Sequence, residues 1–309
     1  MNIFSRIRNY SNRIKDAAFK LMNTLWFLWH GEEKFIIVKG WIKQRGSFVL
    51  KRNLGDELNY YLIEGLTGKR VMAYDSFFHG RRTNYVVIGS VVEGCNENTV
   101  IWGGGAFQRE IKPLPTKPKE VLAVRGALTR DYLLTNGVSC PQVYGDPALL
   151  LPLIYTPRFD AHKRVGIIPH FNDLKDQSVR NVREYYGDCE LISLRGYDDW
   201  HTIIDQICNC DAILSSSLHG LILADAYQIP NVWVKFSDKT FEGDFKYMDY
   251  FSGVGRMSVE PVDLRKNDWA DKIQTRIKEY KRIKFDYRKL LSSCPFAIKK
   301  DILNKINNN

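Results

Sequence analysis

No apolar run in the 309-residue sequence approaches the roughly 20 residues that a membrane-spanning helix needs, and the densest early stretch, residues 25–29, is far shorter. A helical integral membrane protein is excluded on that ground. A disulfide framework is missing as well: Cys95, Cys140, Cys189, Cys208, Cys210 and Cys294 are scattered, and no cleavable signal peptide precedes them. The expected compartment is therefore reducing, the cytoplasm. Cys208-Asn209-Cys210 is too tight for zinc-ligand spacing and has no second pair, so no metal site is expected. Signatures of RRM, zinc-finger and helix-turn-helix modules are absent, as are internal repeats and any low-complexity tract beyond the three closing asparagines.

What the chain does have is apolar and aromatic material: 44% hydrophobic residues, seven Trp, and sixteen each of Tyr and Phe. Its length suits about two domains, because single cores stop growing near 250 to 300 residues. The net charge of +10 is unevenly placed. Residues 1–30 carry Arg6, Arg8, Arg13, Lys15 and Lys20 against Asp16, a net +4, and residues 265–309 carry thirteen basic against five acidic residues, a net +8. Residues 31–264 are left at −2. A nearly neutral middle with basic ends argues against nucleic acid and for an anionic membrane surface or an acidic, lipid-linked substrate, with solvated helix faces as the plain alternative. Residues 1–30 read as an interfacial amphipathic helix, which places the protein peripherally at the inner face of the plasma membrane.

From Phe35-Ile36-Ile37-Val38 onward, short apolar runs alternate with helix-like segments. Strands are expected at residues 71–74, 85–90, 99–102, 121–126, 143–147, 165–170 and 189–194, and helices over residues 55–66 and 200–208. Residues 150–164, with Pro152, Pro157 and a basic stretch, read as an interdomain linker, and residues 267–304 as a basic helical segment broken at Pro295. The expected divisions are an N-terminal helix (1–30), two α/β domains (31–155 and 160–265) and a basic C-terminal segment (266–309). Such alternation favours doubly wound parallel sheets, whose sites gather at the carboxyl ends of strands.

The most informative stretch is Ser215-Ser216-Ser217-Leu218-His219-Gly220, between apolar runs at residues 212–214 and 232–234. It reads as strand, polar turn and helix, with a serine at the cap and His219 in the first turn. Free backbone N–H groups and the positive end of the helix dipole make that position suited to an anion beside a proton-transferring residue. His170 follows Ile168-Pro169 at the end of another expected strand and faces the same cleft under the switch-point rule. Asn53 and Asp56 either contact a sugar or cap the helix beginning near Gly55, capping being favoured. Gly103, Gly104 and Gly105 either admit a ligand close to the backbone or make a tight turn. Asp146-Pro147 reads as structural, and His30, His79, His162 and His201 stand in no constellation.

Asn53-Leu54-Gly55-Asp56, Gly103-Gly104-Gly105, Val124-Arg125-Gly126, Gly145-Asp146-Pro147 and Ser217-Leu218-His219, followed by Ala224 and Pro230, resemble in that order the polysaccharide pyruvyl transferase family, over roughly residues 45 to 255. The resemblance implies two Rossmann-like, doubly wound α/β domains facing across a cleft, as in GT-B glycosyltransferases. It also implies transfer of pyruvate from phosphoenolpyruvate to a sugar as a cyclic ketal, with galactose as the family-level acceptor. Phosphoenolpyruvate is then a co-substrate, and no metal or redox cofactor is chemically necessary.

By the same resemblance Arg125 contacts phosphoenolpyruvate, Ser216, Ser217 and Leu218 belong to its binding triplet, and His219 moves protons. The helix dipole lowers the pKa of such a histidine and a phosphate dianion raises it, so the sequence alone does not fix the resting protonation of His219. Several relatives have arginine where this chain has Ser217; Arg125 with Lys235 or Lys246 is expected to supply the missing charge. Two other readings stand beside this one. A GT-B glycosyltransferase would need a nucleotide-binding carboxylate such as Glu242 or Asp244, and a non-catalytic glycan-binding scaffold would fit the missing arginine.

Overall fold

The computed structural model describes residues 3–50, 53–107, 113–159, 162–239, 243–256, 260–283 and 285–307. Helix α1 (Ile3–His30) leads into strand β1 (Phe35–Val38), the small hairpin of β2 (Gln44–Arg45) and β3 (Phe48–Val49), helix α2 (Leu54–Thr67), and strands β4 (Arg70–Ala73), β5 (Asn84–Val86), β6 (Thr99–Trp102) and β7 (Glu120–Ala123). Helix α3 (Ala127–Thr135) closes this half. The second half runs β8 (Lys163–Ile168), α4 (Gln177–Tyr186), β9 (Cys189–Leu191), α5 (Trp200–Cys208), β10 (Cys210–Ser215), α6 (Leu218–Ala226), β11 (Asn231–Lys235), α7 (Phe245–Gly253) and β12 (Val262–Asp263). Helices α8 (Trp269–Lys278), α9 (Tyr287–Ser292) and α10 (Lys300–Asn307) follow.

Two five-stranded parallel sheets result, in the orders β4-β1-β5-β6-β7 and β12-β11-β10-β8-β9. Helices flank them, and central strands such as β1 and β6 are buried along their whole length, as continuous Val/Ile runs in parallel sheets require. Local chemistry sets the helix limits. Asp176 and Asp199 accept hydrogen bonds from the first-turn amides of Ser178 and His201, and Gly68 ends α2 in the left-handed conformation at φ 73°.

Two expectations change. The stretch read as a linker from residue 150 begins inside a buried 3-10 helix, Pro147–Leu153, whose leucines join one apolar core with α2 and α6. Its run of three leucines is core, whereas residues 155–159 form an irregular, half-exposed to exposed connection into β8. The basic C-terminal segment is three helices: α8 packs on β11 and β12 of the second sheet through Ile273, whereas the last two return to the first half, where Trp102 Nε1 donates to Leu290 O (3.1 Å), Lys299 N donates to Leu66 O (2.8 Å), and Ile302 and Ile306 are buried. Its lysines lie on the outer side of helices whose apolar side is core.

Candidate functional site

Both sheets direct the carboxyl ends of their strands at one cavity of about 600 Å³. From the first half come Gly40, Trp41 and Lys43 after β1, Asp75 after β4, Gly89 and Ser90 after β5, Arg125 after β7, and Asn53 and Asp56 at the start of α2. His170 and Phe171 follow β8, Arg195 follows β9, Ser217, Leu218 and His219 follow β10, and Lys246 comes from α7. This is where parallel α/β sheets leave loops and helix N-termini free to bind ligand. A second hollow of about 450 Å³, lined by Trp41, Phe107, Tyr132 and Pro113, continues from the first and shares Gly40, Asp75 and Ser90 with it.

His219 stands in the first turn of α6 and forms part of the cavity wall. Ser217 is the N-cap residue but makes no side-chain cap bond; Ser215 organises the turn instead, its Oγ accepting from Ser217 N at 3.0 Å. Nε2 of His219 is buried and has no hydrogen-bond partner among the described residues. Burial first, then the charges of Lys246 and Arg125, push its pKa down to about 3, so the imidazole is neutral at physiological pH. Gly55 of α2 lies directly against the ring: a Cβ there would sit 2.0 Å from Nδ1.

Arg125 is only 1% exposed. Its Nε donates to Asp249 Oδ2 (2.9 Å), Nη1 to Ser90 Oγ (2.7 Å) and Nη2 to the carbonyl of Ala106 (3.0 Å). Asp249 in turn accepts from Thr129 N and Oγ1, both at 2.7 Å. The guanidinium thus forms a wall of the cavity with its charge balanced by a buried carboxylate. Asp146 nearby has one oxygen capping Ala148 N (3.0 Å) and a pKa raised to about 6, chiefly by burial.

Several expected ligand contacts have other partners. Ser216 is buried behind the wall, its hydroxyl donating to Asp173 (3.0 Å) and accepting from His170 N (2.8 Å). Gly104 and Gly105 face protein: added Cβ atoms would lie 2.3 Å from Val86 and 2.1 Å from the Arg125 guanidinium. Lys235 pairs with Asp238 (2.6 Å) outside the cavity lining. Asn53 occupies the N-cap position of α2 but makes no side-chain cap bond; its side-chain amide donates to Asp56 Oδ2 (3.0 Å) at the cavity surface. Asp244 precedes α7 without a side-chain cap bond and is not in the cavity lining, and Glu242 lies outside the described residues.

His170, Ser217, Leu218, Asn53, Asp56 and Lys246 do line the cavity with His219 and Arg125. Among the lining residues that sequence reasoning missed are Lys43, Asp75, Arg195, Trp41, Phe107 and Phe171. Arg195 is exposed, with its guanidinium 3.4 Å from the centre of the Phe171 ring, and no carboxylate among the described residues pairs with it or with Lys43. Its signal was available: it follows Leu194 at the carboxyl end of an expected strand.

No group of three His, Cys, Asp or Glu side chains suited to a metal occurs among the described residues. The thiols of Cys208 and Cys210 are buried and pushed up to about 12, which leaves them inert. No described helix is long and apolar enough to cross a membrane.

Comparison with known proteins is consistent with this geometry. The model of one family, polysaccharide pyruvyl transferase, matches residues 8–238. "Uncharacterized protein L143" of Acanthamoeba polyphaga mimivirus is 32% identical over 214 residues, 67% of this chain and 73% of that protein. Succinoglycan biosynthesis protein ExoV of Rhizobium meliloti (strain 1021) is 26% identical over 237 residues, 73% of this chain and 68% of that protein.

Proposed function

Since the chain belongs to the polysaccharide pyruvyl transferase family, we propose that it moves pyruvate from phosphoenolpyruvate onto two hydroxyls of a galactose-type sugar in a surface-polysaccharide precursor, forming a cyclic ketal and releasing phosphate. The observation that carries this reading is the neutral His219, its Nε2 unpartnered, in a cavity wall that also holds Lys43, Arg195 and Lys246. A ligand with a carboxylate and a phosphate needs cations and backbone donors in fixed positions. Where Ser217 replaces an expected arginine, Arg195, after β9, and Lys246, in the first turn of α7, supply the charge. Arg125, already balanced by Asp249, keeps the wall in shape and presents its remaining N–H edge.

In this mechanism a sugar hydroxyl adds to C2 of phosphoenolpyruvate while C3 takes a proton. His219 is the proton carrier: neutral before substrate binds, it accepts the proton of the attacking hydroxyl, the phosphate dianion beside it stabilises the imidazolium, and that proton is the one delivered to C3. The C2–O bond to phosphate then breaks, its electron pair leaving with the phosphate, and the second hydroxyl closes the ketal, its proton passing to the departing phosphate. The adjoining aromatic hollow around Trp41 and Phe107 holds the acceptor, whose apolar ring face packs on aromatic carbon. The two sheets facing one cavity are read here as a GT-B arrangement. The basic terminal segments suit the inner, anionic face of a plasma membrane.

The test is incubation with phosphoenolpyruvate and a model galactoside, following phosphate release and the mass of the sugar. Sugar-dependent phosphate release with the matching mass gain is expected. Turnover of a nucleotide sugar instead would make the protein a glycosyltransferase, and glycan binding without either reaction would make it a scaffold.

A further inference from the structure

Helix α1 has two apolar faces. On the inner one Asn23 and Phe27 are buried, and the Asn23 amide donates to Gln44 O (3.1 Å) and Ser76 O (2.7 Å) while its oxygen accepts from Gly46 N (2.8 Å). On the outer one Ile14, Leu21, Leu25 and Leu28, spaced by three, four and seven residues, share one stripe with Met22 and Trp29 beside it. All six are exposed, Trp29 by 87%. Two further aromatics are exposed on segments tied to the helix: Phe48, 76% exposed, projects from the hairpin anchored through Asn23, and Phe78, half exposed, donates its own backbone N–H to Thr24 Oγ1 of α1 (2.9 Å). Soluble monomers rarely leave so many large apolar side chains exposed along one helix and the segments tied to it.

Charge distinguishes the occupant. Arg13 and Lys15 border the stripe on opposite sides, and Lys43, Arg45 and Arg81 are exposed on the neighbouring hairpin and loop. Between residues 13 and 31 the one acidic side chain, Asp16, pairs with Lys20 (3.3 Å). A second copy of the chain would bring the same positive border against it, whereas anionic headgroups complement it and the apolar stripe enters the acyl boundary. The patch also adjoins the site: Trp41 and Lys43 line the cavity, and the next residues, Gln44 and Gly46, are tied to α1.

We infer that the outer face of α1, with Phe48 and Phe78, docks on an anionic lipid bilayer and that the sugar acceptor is a lipid-linked glycan presented to the cavity from that surface. The second half of this inference rests on the pyruvyl-transfer reading; the first does not. The experiment is co-sedimentation of the full chain with phosphatidylcholine vesicles with and without phosphatidylserine, for the wild type and for a Leu25→Glu, Trp29→Glu pair and Phe48→Glu. Wild type pellets with the phosphatidylserine vesicles and is released by salt. The glutamate variants, their melting temperatures unchanged, bind at least about tenfold more weakly, since withdrawing one leucine-sized side chain from apolar surroundings alone is worth about that factor. They turn over a soluble galactoside at the wild-type rate and a vesicle-held lipid-linked acceptor more slowly. Wild type remaining in the supernatant, or variants that pellet equally, would overturn the docking surface. A concentration-dependent dimer lost in the variants, without vesicle binding, would assign the face to a second copy and equally overturn it. Absence of turnover on every acceptor alongside intact vesicle binding would strike the reaction and the acceptor half of the inference, leaving the docking surface standing.

Discussion

The ring of His219, at the start of α6 in the second half of the molecule, packs on the bare Cα of Gly55, at the start of α2 in the first half: a Cβ on Gly55 would come within 2.0 Å of Nδ1. Two short motifs some 160 residues apart in sequence are therefore one structural unit. Gly55 excludes any side chain from the place where the imidazole lies, and the imidazole closes the gap that glycine leaves.

From that contact follows a paired prediction. His219→Ala lowers kcat/KM by about 10²- to 10⁴-fold, the usual contribution of a positioned acid–base group. Gly55→Ala, which improves helix propensity by about 1 kcal/mol, displaces the ring and lowers kcat about 10²-fold, as small misplacements of catalytic groups do. Steady-state kinetics with thermal melts checks both, and a Gly55→Ala enzyme with the wild-type rate would mean that the ring position is irrelevant to turnover.

Arg195 and Arg125 separate by what their removal damages. Arg195 is exposed and stacked on Phe171, so Arg195→Ala leaves the melting temperature unchanged and raises KM for phosphoenolpyruvate roughly tenfold or more, the worth of a charge-assisted hydrogen bond to an anion. Arg125→Ala leaves Asp249 buried without its cation, which costs about 3–5 kcal/mol of stability. Denaturant titration beside donor kinetics distinguishes them; equal losses of stability would contradict the division of roles.

How far the sequence carries can be judged on these same residues. Apolar runs such as Phe35-Ile36-Ile37-Val38 and Ile213-Leu214 announce buried parallel strands because nothing polar interrupts them, and the serine-rich turn before His219 announces a helix start. Which loops converge is a different matter. Trp41, Lys43 and Arg195 lie after strand ends with no periodicity of their own, and only the strand order brings them to one cavity. For Gly104 and Gly105 the sequence leaves ligand approach and a tight turn side by side; the space is filled by Val86 and by the Arg125 side chain, whose path no local pattern encodes. Basicity likewise masked the apolar faces of α9 and α10, where Leu290, Ile302 and Ile306 are spaced among lysines.

The depressed pKa of His219 makes stability depend on pH with a definite sign. Its folded value, about 3, lies below the value of about 6.5 in the unfolded chain, so protons bind the unfolded state first. The contribution is complete above about pH 6.5 and is lost as pH falls toward about 3, by at most about 1.4 kcal/mol per pH unit. Asp146, raised to about 6, acts in the opposite sense: its contribution is present below the ordinary carboxylate value and lost as pH rises through about 6. Comparing wild type with His219→Phe in denaturant between pH 7 and 4 cancels the Asp146 effect and leaves that of His219. Wild type loses stability relative to the variant on acidification, and imidazole NMR shows His219 still neutral at pH 5. A midpoint near 6.5 would remove the burial argument for a neutral resting base.

Trp41 tests the division of the cleft into donor and acceptor sides. It is 66% exposed, lines both the cavity and the aromatic hollow beyond it, and stands at the carboxyl end of β1 where its ring meets solvent from either compartment. Nothing in the core depends on it, so Trp41→Ala leaves the melting temperature near that of wild type. The cations assigned to the donor, Arg195 and Lys246, come from the second half, whereas Trp41, Phe107 and Tyr132 come from the first. Loss of an aromatic platform therefore raises KM for the galactoside about tenfold, in line with the area of ring face it would cover, while KM for phosphoenolpyruvate stays within about twofold. Two-substrate kinetics in which the donor constant rises instead would place the donor in the aromatic hollow and reverse the assignment of the two sides.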